Sequence, residues 1–195
     1  MILLDNANIP THFIRRHNMQ EQVVHQTDAI PVHVTVRNIA AGTIVDTLGI
    51  PEGTNLPRPL IEFTHEDNPL NLVSEDHIEA FGWADEDELE LISTIAFRTN
   101  DFLSGYFMAL KLKLVDITLQ FGRLNPGTLE ESLVLIDEVS PDICRLWDTT
   151  SDRRYGRDVC EGSPEEIHGN YDDIAQRLGI TDGRRPNLSL ATKGK

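Results

Sequence analysis

The segment Asp137 to Asp148, reading DEVSPDICRLWD, gathers four acids, one arginine and a tryptophan around a Ser140-Pro141 turn. Acids cannot cheaply be buried without partners. A strand entering from Leu133-Val134-Leu135-Ile136 is therefore expected to deliver them to a polar site that holds a metal, a phosphate or both. Arg145 suits the phosphate, because its planar fork permits bidentate contact that a lysine does not. A second group points the same way. Arg37 lies just before Ala40-Ala41-Gly42-Thr43, where small residues allow a tight backbone whose N–H groups cradle an anion.

The elements that must position these groups follow from periodicity. Between Pro31 and Ile39, Val32, Val34 and Val36 alternate with His33, Thr35 and Arg37, the pattern of a strand with one wet face. Leu112 to Phe121 also alternates, placing Val115, Ile117, Leu119 and Phe121 on one face and Asp116, Thr118 and Gln120 on the other. Asn125-Pro126-Gly127 supplies a turn before the run Leu133 to Ile136, so a hairpin is expected there. From Asp85 to Leu110 the apolar residues recur at helical spacing behind an Asp85/Glu88 cap, with a possible break near Asn100 or Gly105. Pro164 opens another helix that ends near Gly179. Strands and helices in mixed order predict an α+β domain over residues 1–181, followed by a flexible tail over 182–195.

Composition narrows the function classes. A formal charge of -15 disfavours nonspecific binding to nucleic acid or an anionic membrane, so a phosphate ligand must meet a local basic pocket. Two cysteines, Cys144 and Cys160, form neither a disulfide framework nor a Cys-x-x-Cys site, which fits reduced cytoplasmic thiols. No stretch approaches the ~18 apolar residues of a membrane span. There is no Gly-x-Ser-x-Gly elbow, no Gly-x-Gly-x-x-Gly loop and no Walker-type motif.

DEVSPDICRLWD closely resembles the segment that lines the substrate and metal site of the SAICAR synthase (phosphoribosylaminoimidazole-succinocarboxamide synthase) family. IPVHVTVRNIAAGTI, from Ile30 to Ile44, resembles that family's other signature. Further similar stretches are Pro10 to Arg16, Leu48 to Phe63, Glu75 to Ile78 and Val115 to Gly122, so the likeness covers most of residues 8–180. It implies an ATP-dependent ligase of purine biosynthesis. Such an enzyme phosphorylates the carboxylate of carboxyaminoimidazole ribonucleotide, couples it to the amine of aspartate, and releases ADP and phosphate. Carried over by residue, the resemblance assigns ribonucleotide contacts to Arg37, Thr43, Asp142 and Arg145. It gives catalytic roles to Asp142 and Arg154, nucleotide contacts to Gln120 and Asp137, and magnesium to Asp137. Trp147 is expected to pack rather than stack on a ligand. The family fold also has a glycine- and lysine-rich amino-terminal sheet over the nucleotide phosphates, which this chain is expected to lack.

Several site positions depart from the family pattern. Gln120 and Thr118 stand where glutamate and lysine are usual, His33 replaces a glutamate, and His65 a loop lysine. The Gly-Asp-Pro loop is shortened to Leu70-Asn71-Leu72, and the Asp-Arg-Phe-Arg motif reads Arg153-Arg154-Tyr155-Gly156. Fold-determining apolar positions are intact, so the losses concentrate on charges that serve phosphoryl transfer, each costing on the order of 10²-fold in rate. Catalysis by this chain alone is expected to be weak. Three readings follow: a synthase, with or without a separate amino-terminal segment to complete it; a noncatalytic paralogue that keeps ribonucleotide or phosphate binding; or an interaction partner of a full-length synthase. Homo-oligomerisation is compatible with each.

Overall fold

A computed structural model describes residues 1–18, 21–159 and 163–180. Cys160 and the tail expected over 182–195 lie outside the described residues. In chain order the elements are α1 (Ile2–Asn6), β1 (Phe13–Arg16), β2 (Gln22–Val24), β3 (Asp28–Ile39), α2 (Thr43–Leu48), β4 (Asn55–His65) and β5 (Asn68–Val73). They continue with α3 (Glu75–Ala80), α4 (Glu86–Ala109), β6 (Leu112–Leu124), β7 (Ser132–Ile136), β8 (Cys144–Asp148), β9 (Arg154–Gly156) and α5 (Pro164–Arg177). Short 3-10 turns cover Pro141–Ile143 and Arg157–Val159.

The expected α+β class is observed. Strands pair antiparallel in the order β5-β4-β3-β6-β8-β9, and β7 also pairs with β6. Strand β6 is long enough to serve two partners on one edge, β8 along Leu112 to Ile117 and β7 along Gln120 to Leu124. The chain leaves β7 and enters β8 between these stretches, so Asp137 to Ile143 crosses the sheet edge opposite the middle of β6. Gly127, with φ 75°, and Asn125, with φ 52°, make the predicted turn between β6 and β7.

One face of the sheet packs on α4. Val32, Val34 and Val36 of β3 and Ile117, Leu119 and Phe121 of β6 are buried with Leu89, Ile92, Ala96 and Leu103 of the helix. Asp85 caps α4, accepting from the Glu88 N–H while the Glu88 carboxylate accepts from the Asp85 N–H. The helix runs unbroken through Asn100 and Gly105, which corrects the possible interruption. At Asn100 a reciprocal amide pair with Asn38, at 2.7 and 3.1 Å, satisfies the buried side chain without disturbing the helix.

A second correction concerns Val115. Leu114 faces Leu146 and Asp116 faces Arg145, so Val115 is an extra residue that bulges β6 and reverses its alternation. Val115 accordingly packs with Ile39, Ala41 and Trp147, whereas Leu112 and Leu114 join Ile117 in the main core. Helix α5 begins at Pro164 behind a Ser163/Glu166 capping box, and Gly179 follows it in the left-handed conformation.

Candidate active site

The face of β3 and β6 turned away from α4 carries three rows of polar side chains set by strand register. In the first row Arg37 of β3 stands beside Asp116 of β6, which stands beside Arg145 of β8. The second aligns Glu62 of β4, Thr35 and Thr118, and the third aligns Thr64, His33 and Gln120. A cavity of about 550 Å³ opens over these rows. Its wall also includes Thr43, Leu70, Leu72, Asp137, Ile143 and Arg157.

Asp116 organises the first row. It is fully buried, and its Oδ2 accepts from Arg37 Nη1 at 2.9 Å and Arg145 Nη1 at 2.6 Å. Its Oδ1 has no hydrogen-bond partner among the described residues. Arg37 is also held by Glu62 Oε2 at 2.6 Å, the Ala41 carbonyl at 3.1 Å and Thr43 Oγ1 at 2.9 Å. Arg145 donates to Asp158 Oδ1 at 2.8 Å. Burial opposes its charge, yet Asp116 and Asp158 outweigh that penalty and hold its pKa above the ordinary arginine value. Gly42 lets these groups close up. Its φ is +64°, and a Cβ there would stand 2.8 Å from Arg145 Nη2.

The second row is neutral but for Glu62, and it ends in a cation from outside the sheet. Thr35 and Thr118 share a hydrogen bond of 2.9 Å, and Arg157 Nη2 donates to Thr118 Oγ1 at 2.6 Å and to the Ile143 carbonyl at 3.1 Å. In the third row Gln120 is hydrogen-bonded to His33 across the strands. Asp137 sits at the cavity mouth with φ 63°, exposed to solvent.

The structure brings Arg37, Thr43, Gln120, Asp137 and Arg145 to one cavity. Asp142 lies exposed on the 3-10 turn beside Ile143, outside the cavity wall. The guanidinium of Arg145 is taken by Asp116 and Asp158. Arg154 does not reach the cavity. Its guanidinium is clamped by both oxygens of Glu52, at 3.0 and 2.9 Å, and lies 4.7 Å over the Trp147 ring. Trp147 is a packing residue, fixed by its Nε1 hydrogen bond of 2.8 Å to Asp158.

Three residues of the site were not assigned a role from sequence. Asp116 lay on the predicted polar face of its strand, which was a usable signal. Glu62 becomes visible only with the β3–β4 register, and Arg157 only with the turn that follows β9.

The antiparallel α+β sheet thus turns one face, with its converging guanidiniums, toward a cavity. The SAICAR synthetase profile matches residues 1–178. A phosphoribosylaminoimidazole-succinocarboxamide synthase from Gluconacetobacter diazotrophicus is 47% identical over 182 residues, spanning 92% of this chain and 71% of that one. The crystal structure of the synthase from Ehrlichia chaffeensis superposes with a TM-score of 0.84 at 36% identity, covering 92% of this chain and 76% of that one. A SAICAR synthetase solved in complex with ADP gives a TM-score of 0.83 at 33% identity, over 96% and 78% of the two chains. This chain belongs to the SAICAR synthetase family, whose members are ligases of purine biosynthesis.

Proposed function

We propose that the cavity binds carboxyaminoimidazole ribonucleotide through the Arg37, Thr43 and Arg145 cluster, and that the chain joins it to aspartate at the expense of ATP. The observation that carries this reading is the first row: two guanidiniums and a hydroxyl converge beside Gly42, where added bulk would collide with Arg145. Asp116 keeps the two arginines oriented before ligand arrives, so little ordering cost remains on binding. Asp142, exposed on the turn beside Ile143, serves as a further ribonucleotide contact from outside the cavity wall. Arg154, engaged with Glu52 and Trp147, has no part in the chemistry.

In the reaction an oxygen of the substrate carboxylate attacks the γ-phosphorus of ATP and ADP departs, leaving an acyl phosphate. The aspartate amine then attacks the acyl carbon, loses a proton, and expels phosphate as the amide forms. The chain's residues position the ribonucleotide for these steps, while Gln120 and Asp137 face the nucleotide. Among the described residues no three His, Cys, Asp or Glu side chains form a metal cage. Asp137 at the cavity would supply one carboxylate to a magnesium ion that arrives with the nucleotide. Such an ion supplies neutralisation of phosphate charge.

Cytoplasmic location belongs to the same reading. Among the described residues no helix is long and apolar enough to cross a membrane. The test is ADP release by the 195-residue protein with ATP, magnesium, ribonucleotide and aspartate, omitting each in turn. Release that needs all of the substrates supports the assignment. No ribonucleotide-dependent release from folded protein counts against ligase activity of this chain.

A further inference from the structure

Among the described residues, Arg157 is the cavity guanidinium that no carboxylate holds. Arg37 is paired with Glu62 and Asp116, and Arg145 with Asp116 and Asp158. Among the described residues Arg157 forms no salt bridge, and its hydrogen bonds end on two neutral oxygens, Thr118 Oγ1 and the Ile143 carbonyl. Burial lowers its pKa from the usual arginine value, and the repulsion of Arg145 and Arg37 adds to that against the attraction of Asp116. A desolvated cation hydrogen-bonded only to neutral oxygens is costly in the free protein. An anion entering the cavity removes that cost.

Its position says which anion. Thr118 is two residues along β6 from Asp116, so the Arg157 contact is displaced from the Arg37–Asp116–Arg145 row by about 7 Å of strand. The cavity thus offers two cationic stations on one floor, a spacing suited to one molecule with an anion at each end. Gly156 fixes the second station. With φ +72° and with the Cys144 and Pro141 carbonyls where a Cβ would lie, it turns the chain out of β9 and directs Arg157 to Thr118.

We infer that Arg157 is a substrate-binding residue whose guanidinium holds the reacting carboxylate of the ribonucleotide, at the end opposite the phosphate. The assignment rests on the ribonucleotide reading above and gives that reading its second anchor. It also places a positive charge beside Thr118, on the neutral stretch of the floor between the phosphate cluster and Asp137.

The test is calorimetric titration of the full chain and of its Arg157→Gln and Arg157→Lys variants. Three ligands are compared: carboxyaminoimidazole ribonucleotide, the same ribonucleotide without the carboxylate, and ATP. Loss of a charge-assisted hydrogen bond predicts that Arg157→Gln binds the carboxylated ribonucleotide about tenfold or more weakly. The decarboxylated ligand and ATP keep their wild-type affinities, and Arg157→Lys recovers part of the loss. Because the removed charge meets only neutral hydrogen-bond acceptors among the described residues, Arg157→Gln melts at or above the wild-type temperature.

Equal weakening of both ribonucleotides, a loss confined to ATP, or unchanged affinity overturns the assignment. So does a melting point several degrees lower, which marks a structural role. Wild-type protein that binds neither ribonucleotide overturns the proposed function, and this assignment with it.

Discussion

Strands β3 and β6 present two faces built from alternate residues of the same segments, and the two faces solve opposite problems. Toward α4, Val32, Val34, Val36, Ile117 and Leu119 are nearly without solvent contact and gain from burial alone. Away from it, Arg37, Arg145 and Arg157 hold charge at the floor of a cavity, above the buried Asp116. Apolar packing tolerates exchange of one side chain for another of similar volume. The charged face tolerates little, because one carboxylate oxygen of Asp116 serves two guanidiniums. A chain can therefore keep its fold while its chemistry changes.

The difference is broken most severely at Asp116. Asp116→Asn keeps the shape but leaves Arg37 and Arg145 short of a counter-charge, at a cost of about 3–5 kcal/mol measured by chemical denaturation. The same variant is expected to lose ribonucleotide affinity. Ile117→Ala, next along the strand on the opposite face, is expected to cost about 3 kcal/mol through its cavity. Ligand affinity of its folded fraction remains at the wild-type value, which separates the two faces. Gly42→Ala combines a strained φ with the approach to Arg145, and about 1 kcal/mol of stability goes with weaker ribonucleotide binding in a titration.

A smaller effect comes from acid. Asp148 is held well below the usual carboxylate range by the Thr150 hydroxyl and N–H and then by Arg177. Asp173 is held down by the Tyr155 hydroxyl and, against burial, by Arg177. Both pKa values are lower folded than unfolded, so their stabilisation is complete above the unfolded value of about 3.9 and is lost as pH falls through the folded ones. Melting temperature is expected to drop below about pH 4. Arg177→Gln flattens that drop.

The apolar face was legible in the sequence because its signal is local. Period-two alternation marked β3, and helical spacing with the Asp85 cap marked α4. Val115 escaped because a bulge, invisible without the β8 partner, changes which way the strand faces. The charged face was legible as a set of residues but not as a set of pairs. Arg145 was expected near a phosphate, yet its partners Asp116 and Asp158 lie 29 and 13 positions away in the chain. Arg154 and Arg157 differ in sequence by three places and in fate entirely: one is tied to Glu52 over Trp147, and the other is turned by Gly156 into the cavity. Family likeness pointed to the cavity, and the turn after β9 decided which of the two arginines lines it.

The most direct test of this two-faced account is amide hydrogen exchange followed by mass spectrometry, with and without carboxyaminoimidazole ribonucleotide. The predicted result is ligand-dependent protection confined to residues 33–46, 116–120 and 137–158, with α4 unchanged. Protection spread over α4, or none in these segments at saturating ligand, would contradict the assignment of the charged face as the substrate site.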